Sequence, residues 1–172
     1  TDAHVTADAL LCQAEPRRAL SVSEGKKGPL PGPSDGPRLR LPVNRLKNVE
    51  RFAPVQAKYV RMTIHETTQL EPCLDELEVF TSGPDSVNVA LASRGAKASA
   101  SSSLPGYAIH KLEHVNDGRY GNSWSWISNE RGRGWVQLEF PSAVTIDRIV
   151  WSRDREEGGR YYDRTATKYV IE

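Results

Sequence analysis

The stretch Tyr59-Val60-Arg61-Met62-Thr63-Ile64-His65 decides the fold. Its aliphatic residues occupy every second position, which is the period expected of a β-strand with one buried face. A second run, Leu74 to Phe80, alternates less strictly. The residues between the two runs, Thr67 to Pro72, have a length that suits a loop between antiparallel strands. The two runs therefore predict strands of one antiparallel sheet.

Further strand patterns follow the boundary signal Pro84-Asp85-Ser86. Helical periodicity is absent from this half, and the short runs are separated by Gly, Pro, Asn and Asp, as in β-sandwiches and barrels. We therefore predict an all-β chain folded as an antiparallel β-sandwich. The predicted strands of this half are Val87 to Leu91, Ala96 to Ala100, Trp135 to Phe140, Val144 to Trp151 and Lys168 to Ile171.

The N-terminal part, residues 1–45, differs in composition from the rest. Its first 24 residues allow one short helical turn, and residues 25–42 are rich in proline and glycine, which favour extended or turn conformations. We expect an irregular extension and linker. A flexible connection is favoured over a ligand for a proline-recognition domain.

Charge and hydropathy exclude two classes of partner. The 172 residues include 23 basic and 22 acidic side chains, a formal net charge of +1, so no overall positive field attracts nucleic acid. No run approaches the roughly 18 apolar residues of a membrane-spanning helix. We expect neither nucleic acid nor a membrane span.

Catalytic motifs are absent from the sequence. His110 and His114 have helical spacing but lack the glutamate of a zinc protease motif, and no nucleophile elbow or phosphate-binding glycine loop occurs. We expect a protein that is not an enzyme. The spacing of Cys12 and Cys73 does not match a metal site, a redox pair or a haem-attachment motif. The two cysteines could form a disulfide in an exported protein or remain as two buried thiols, and the sequence leaves both alternatives open.

Several segments of residues 88–172 resemble the front half of a discoidin domain, also called the coagulation factor type C domain. The matching segments are Asn88-Val89-Ala90-Leu91, Gly95 to Ser102, Asn116-Asp117-Gly118, Trp124, Gly134 to Phe140 and Ile146 to Val150. Residues 55–81 resemble the closing strands of the same family, so the end of the pattern precedes its beginning. The Arg153 to Arg164 region also resembles, more loosely, discoidin segments of large planctomycete cytochrome-associated proteins.

The resemblance implies a jelly-roll sandwich and a recognition role. We expect closing strands at residues 46–83 and the front of a domain at residues 88–172; a tandem fragment and one permuted sandwich both remain open. The implied function is a non-catalytic extracellular or periplasmic module that binds carbohydrate, including cell-surface or matrix glycans. The alternative is a docking or scaffold domain that contacts another protein subunit in a larger, cytochrome-containing assembly.

Aromatic and charged residues in two loops are the candidate ligand contacts. Trp135 and Trp151 lie in strand patterns and are assigned to the core; the family pattern also places Trp124 there, whereas Trp126 is a candidate for stacking on a sugar. Arginine beside aromatic rings can bind hydroxyl pairs or carboxylates, and a self-contained Arg/Asp network is the alternative. The predicted ligand-binding residues are Trp126, Arg131, Arg153, Arg155, Tyr161 and Tyr162.

A structural calcium ion is the implied cofactor. The resemblance assigns the Asp-Gly turn and an acidic residue of the last strand to such a site, and Ca²⁺ takes six to eight oxygen ligands. The candidate ligands are Asp117, Asn122 and Glu76. The Asp-Gly pair is equally a favoured turn, so a purely structural turn remains the alternative.

Overall fold

The computed structural model describes residues 41–172 and is an all-β, antiparallel sandwich. The predicted helical turn and nearly all of the Pro/Gly-rich segment lie outside the described residues. Short 3₁₀ turns occur at Ala92–Arg94 and Leu112–Asn116. The strands are β1 Asn48–Thr67, β2 Cys73–Leu74, β3 Glu76–Thr81, β4 Lys97–Ala100, β5 Trp126–Ile127, β6 Gly134–Ser152 and β7 Ala166–Ile171.

Two long strands, β1 and β6, pair antiparallel along their length and organise the sheet in the order β3-β6-β1-β7, with β4 also on β6. Register breaks near Pro54 in β1 and Pro141 in β6 divide both strands. Proline lacks the amide donor of the ladder, so the sheet bends there. β3 continues one half of the curled sheet, and β4 and β7 continue the other half.

The core lies between the two halves of the curled sheet. Val60, Met62 and Ile64 of β1 are buried, as the alternation predicts, and pack in one cluster with Leu77 of β3 and Trp151 of β6. Each such side chain contributes about 1.5–3 kcal/mol through burial. The Trp151 indole also donates a 3.1 Å hydrogen bond to the hydroxyl of Tyr169 in β7, so a polar contact joins the halves.

The strands differ from the sequence prediction in several places: β1 begins at Asn48, well before the predicted run, the short strand β5 lies in a predicted loop, and two further differences concern later segments. Val87 to Leu91 is not a strand, because the Asn88 side chain accepts hydrogen bonds from the amides of Val79 and Ala90 and only an isolated bridge forms. The two predicted strands after Gly134 are one continuous strand, β6. That strand pairs with β1 and β3, so segments on both sides of Pro84 share one sheet.

No helix within residues 41–172 has the length and apolar character needed to cross a membrane.

Candidate functional site

A buried carboxylate joins two loops, residues 117–125 and 153–165, which we call the loop end. Asp75, between β2 and β3, is fully buried, and its Oδ2 accepts hydrogen bonds from the amides of Gly121 (2.8 Å) and Arg155 (2.7 Å). The Ser152 hydroxyl donates to Oδ1. Gly121 has φ +102° and lies against Glu156, a position that a side chain could not occupy without strain. The two loops are therefore fixed against each other.

Arg153, a predicted ligand contact, is instead an internal brace of the loop end. Its side chain is 1% exposed, and its guanidinium donates to Asn122 Oδ1 (2.9 Å) and to the carbonyl and carboxylate of Asp163 (2.9 and 3.1 Å). Because the side chain is buried and each of its three nitrogens donates to a group of the chain itself, the guanidinium is not presented to a ligand. The alternative of a self-contained Arg/Asp network describes Arg153 correctly.

Arg155 is also largely engaged. It forms a 2.6 Å ion pair with Glu78, and its guanidinium lies 4.2 Å from the centre of the Tyr120 ring. The Tyr120 hydroxyl donates to the same Glu78 at 3.1 Å, and burial, together with the Glu78 charge, raises the pKa of Tyr120. This cluster links the loop end to the outer side of β3.

The two loop tryptophans exchange the roles predicted for them. Trp126 is fully buried, because it pairs with Leu74 as part of β5, and its indole donates to the Ser102 carbonyl at 2.9 Å. It cannot stack on a ligand. Trp124, assigned to the core by the family pattern, is 39% exposed; the Arg119 guanidinium lies 4.3 Å above its ring, and His114 packs edge-on at 5.1 Å.

Two tyrosines project from the loop end on a fixed backbone. Tyr161 and Tyr162 are 49% and 67% exposed. The carbonyl of Tyr162 accepts hydrogen bonds from the hydroxyls of Thr68 (2.9 Å) and Thr165 (2.8 Å), and the amide of Tyr161 donates to the buried Asp154. An open cavity of about 290 Å³ is lined by residues 156–161 and so includes Tyr161 but not Tyr162.

Arg131 is exposed at the border of the loop end. The amide of Gly132 donates to the Leu70 carbonyl at 3.2 Å, which places this loop against residues 68–72. The pKa of Glu71 is lowered by a hydrogen bond to its own backbone, then by Arg164 and, last, by the charge of Arg131. Arg131 is therefore an exposed cation at the edge of the predicted surface, where its charge acts on Glu71.

Glu76 is the most perturbed acid of the predicted calcium set. It is fully buried, and its only hydrogen-bond donor within residues 41–172 is the Gly118 amide, 3.2 Å from each carboxylate oxygen. Burial raises the pKa of Glu76 to about 9, and the charges of Asp117, Glu78 and Asp75 add to this effect. A cation would relieve this accumulation of negative charge.

The other two predicted ligands are already engaged. Asp117 bonds to His114 Nδ1 (2.9 Å) and accepts from the Arg119 amide (2.8 Å), while Asn122 Oδ1 accepts from the Arg153 guanidinium. A cation at Asn122 would be repelled by that guanidinium. Within residues 41–172, no group of three or more His, Cys, Asp and Glu side chains has the arrangement of a metal centre.

A serine and a histidine meet inside the protein without forming a nucleophilic pair. His110 Nδ1 lies 2.9 Å from Ser125 Oγ, and that hydroxyl donates its proton to the Asn122 carbonyl at 2.8 Å. His110 must therefore donate from Nδ1 and cannot accept the hydroxyl proton there. Burial also lowers the pKa of His110, which favours the neutral ring. The contact holds two loops together.

Cys73 is buried beside this contact, and burial raises the pKa of its thiol to about 11. Cys12, the other cysteine of the sequence, lies outside the described residues.

Comparisons with known protein families, curated proteins and solved structures give no match. The functional argument therefore depends on the chemistry of this chain.

Proposed function

We propose that this chain is a non-catalytic binding module for carbohydrate and that its contact surface is the loop end. The observation that carries the proposal is the exposure of Trp124, Tyr161 and Tyr162 on loops whose backbone is held by buried hydrogen bonds. The C–H face of a sugar packs on an aromatic ring, and the exposed hydroxyl of a tyrosine is available for hydrogen bonding.

The rigidity of these loops supports the same function. Binding to a mobile loop costs ordering entropy, whereas a preorganised surface avoids most of that cost. Asp75 and Arg153 fix the loop backbone from inside, so the rings above them are positioned before a ligand arrives. Arg119 and Arg160 supply guanidinium donors beside the rings for sugar hydroxyl or carboxylate groups.

We also propose a structural calcium ion near Glu76. Its carboxylate fits a hard cation, because burial and the surrounding acids make an ionised Glu76 costly without one. Asp117 would join it by exchanging its contact with His114 for the cation. Asn122 does not fit, because it is bonded to Arg153. Bound calcium would neutralise the acidic cluster and brace the Asp117-Gly118 turn against β3.

The test is a glycan array screened with the full 172-residue chain, followed by titration of the best glycan. Tyr162→Ala and Trp124→Ala each remove a stacking ring, and we expect each to weaken binding at least about tenfold, as for aromatic anchors at interfaces. Tyr59→Ala is the matched control, because Tyr59 is 50% exposed on β1 and pairs with Glu139, remote from the loop end.

Equal weakening by Tyr59→Ala would show that the loop end is not the site. The absence of any glycan ligand, combined with stable capture of a protein partner that buries the same rings, would instead support the docking function.

A further inference from the structure

A second surface of the molecule, on the opposite side of β3 from the core, carries an excess of positive charge. It is a shallow groove of about 280 Å³ across β1, β6 and β3. Four basic side chains line it, Lys47, Arg51, Arg148 and Arg155, against the single acid Glu78. Because the whole chain has a net charge of only +1, this local excess is a property of the groove.

The strand register places like charges side by side in this groove. Arg51 of β1 is the direct cross-strand partner of Arg148 of β6, and Arg148 is in turn the partner of Phe80 of β3. Like charges at directly opposite positions destabilise a sheet. The cost is not offset within the groove, because Glu78 is already paired with Arg155. Such an arrangement is favourable once an anion lies between the two guanidinium groups.

The basic groups are held in different ways. Arg148 is fixed, since its guanidinium lies 4.2 Å from the Phe80 ring and donates to the Ser86 hydroxyl at 3.2 Å. Lys47 and Arg51 are exposed at the other side of the groove. These two residues are four positions apart, about 13 Å along an extended chain. The groove therefore presents separated positive charges along a line, which suits an extended polyanion.

We propose that this groove binds an acidic polysaccharide, with its carboxylate or sulfate groups between Arg51 and Arg148 and next to Lys47. Guanidinium groups bind both kinds of anion through paired hydrogen bonds. The floor is a sheet face whose central strand, β6, already pairs with β1 and β3, so an added peptide strand could not form backbone pairs with β6 in the floor. The shallow groove also lacks a deep apolar pocket for a peptide side chain, which a saccharide does not need.

This inference is independent of the proposed loop-end site, and its test separates the two. The full chain is titrated with heparin, which is sulfated, with polygalacturonate, which is carboxylated, with neutral dextran and with poly-glutamate. We expect binding to one or both acidic polysaccharides that weakens with added salt, little binding to dextran and weaker binding to poly-glutamate.

The double variant Lys47→Gln/Arg51→Gln should weaken acidic polysaccharide binding about tenfold, as expected for loss of two exposed ion pairs. The control Arg94→Gln/Lys97→Gln removes the same charge from exposed residues outside the groove and should have little effect. Tyr162→Ala should leave this binding unchanged, whatever its effect on neutral glycans.

Three results would overturn the proposal. Equal losses in the two double variants would mean that only net charge matters. A loss in Tyr162→Ala as large as that in the groove variant would place the polyanion at the loop end. Poly-glutamate binding as tight as that of the polysaccharides would identify an acidic peptide as the occupant.

Discussion

Replacement of Glu76 by glutamine tests the electrostatic account of the acidic cluster. The pKa of Glu76 is raised from 4.5 to about 9 in the folded chain, so between these values the folded state keeps a proton that the unfolded state releases. The contribution of protonated Glu76 to the free energy of unfolding is therefore fully present below pH 4.5. It is lost as the pH rises towards 9, at about 1.4 kcal/mol per pH unit. At pH 7 the loss is on the order of 3 kcal/mol.

Glu76→Gln keeps the shape of the side chain and one oxygen acceptor for the Gly118 amide, but it cannot ionise. In EDTA at pH 7 we expect the variant to unfold at a higher temperature than the wild type, by roughly 6–12 °C for a domain of this size. Below pH 4.5 the two should converge. The measurement is thermal unfolding by circular dichroism at pH values from about 3.5 to 9.

Glu139→Gln is the control, since Glu139 is partly exposed and pairs with Lys58 at the surface. This substitution should leave the pH dependence almost unchanged. If wild type and Glu76→Gln lost stability in parallel between pH 5 and 9, Glu76 would not be held protonated and the reasoning would be refuted. Added calcium should raise the unfolding temperature of the wild type at pH 7 and have much less effect on Glu76→Gln.

Two further substitutions probe the loop end, and a labelling reaction probes the neighbouring strand β2. Gly159→Ala would place a Cβ about 2.5 Å from a carboxylate oxygen of the buried Asp154, and we expect it to lower stability by about 1–3 kcal/mol in urea unfolding. Arg153→Met should lower the free energy of unfolding by roughly 3 kcal/mol in the same assay, because the buried acceptors of Arg153 lose their donor. In a Cys12→Ser background, Cys73 should react with a thiol reagent only as fast as the chain unfolds, since its pKa of about 11 and its burial suppress the thiolate; rapid labelling of the folded chain would contradict this placement.

The strand periodicity predicted the aliphatic core positions of β1, whereas Trp135, also assigned to the core, is only half-buried, with the Arg61 guanidinium 4.4 Å from its ring centre. Val60, Met62 and Ile64 are buried as the alternation requires, because side-chain direction along a strand is a local property. The failure at Val87 to Leu91 is also local in origin, since asparagine side chains compete with the backbone for amide donors. That competition could have been suspected from Asn88 itself.

The candidate site was harder to predict because its contacts are distant in sequence. Asp75 is not among the predicted site residues, because the amides that it binds are 46 and 80 residues away in sequence. The only local sign of its role is that an acidic residue stands on the same face as the buried Leu77. The strand alternation predicts an inward-facing side chain at that position. The predicted roles of Trp124 and Trp126 are reversed for the same reason, a contact that is distant in sequence. The pairing of Trp126 with Leu74 decides which of the two rings is buried.

Strand β3 connects the two proposed binding surfaces, and this connection limits how each can change. Asp75 holds the loop end from inside, while Glu78 on the outer side pairs with Arg155 at the margin of the basic groove. Between them lies Glu76, whose charge state depends on both neighbours. Removal of the charge of Glu78 would therefore release Arg155, increase the positive charge of the groove and lower the cost of ionising Glu76. A substitution at Glu78 thus affects polyanion binding and calcium affinity together, so the two effects must be measured on the same variant.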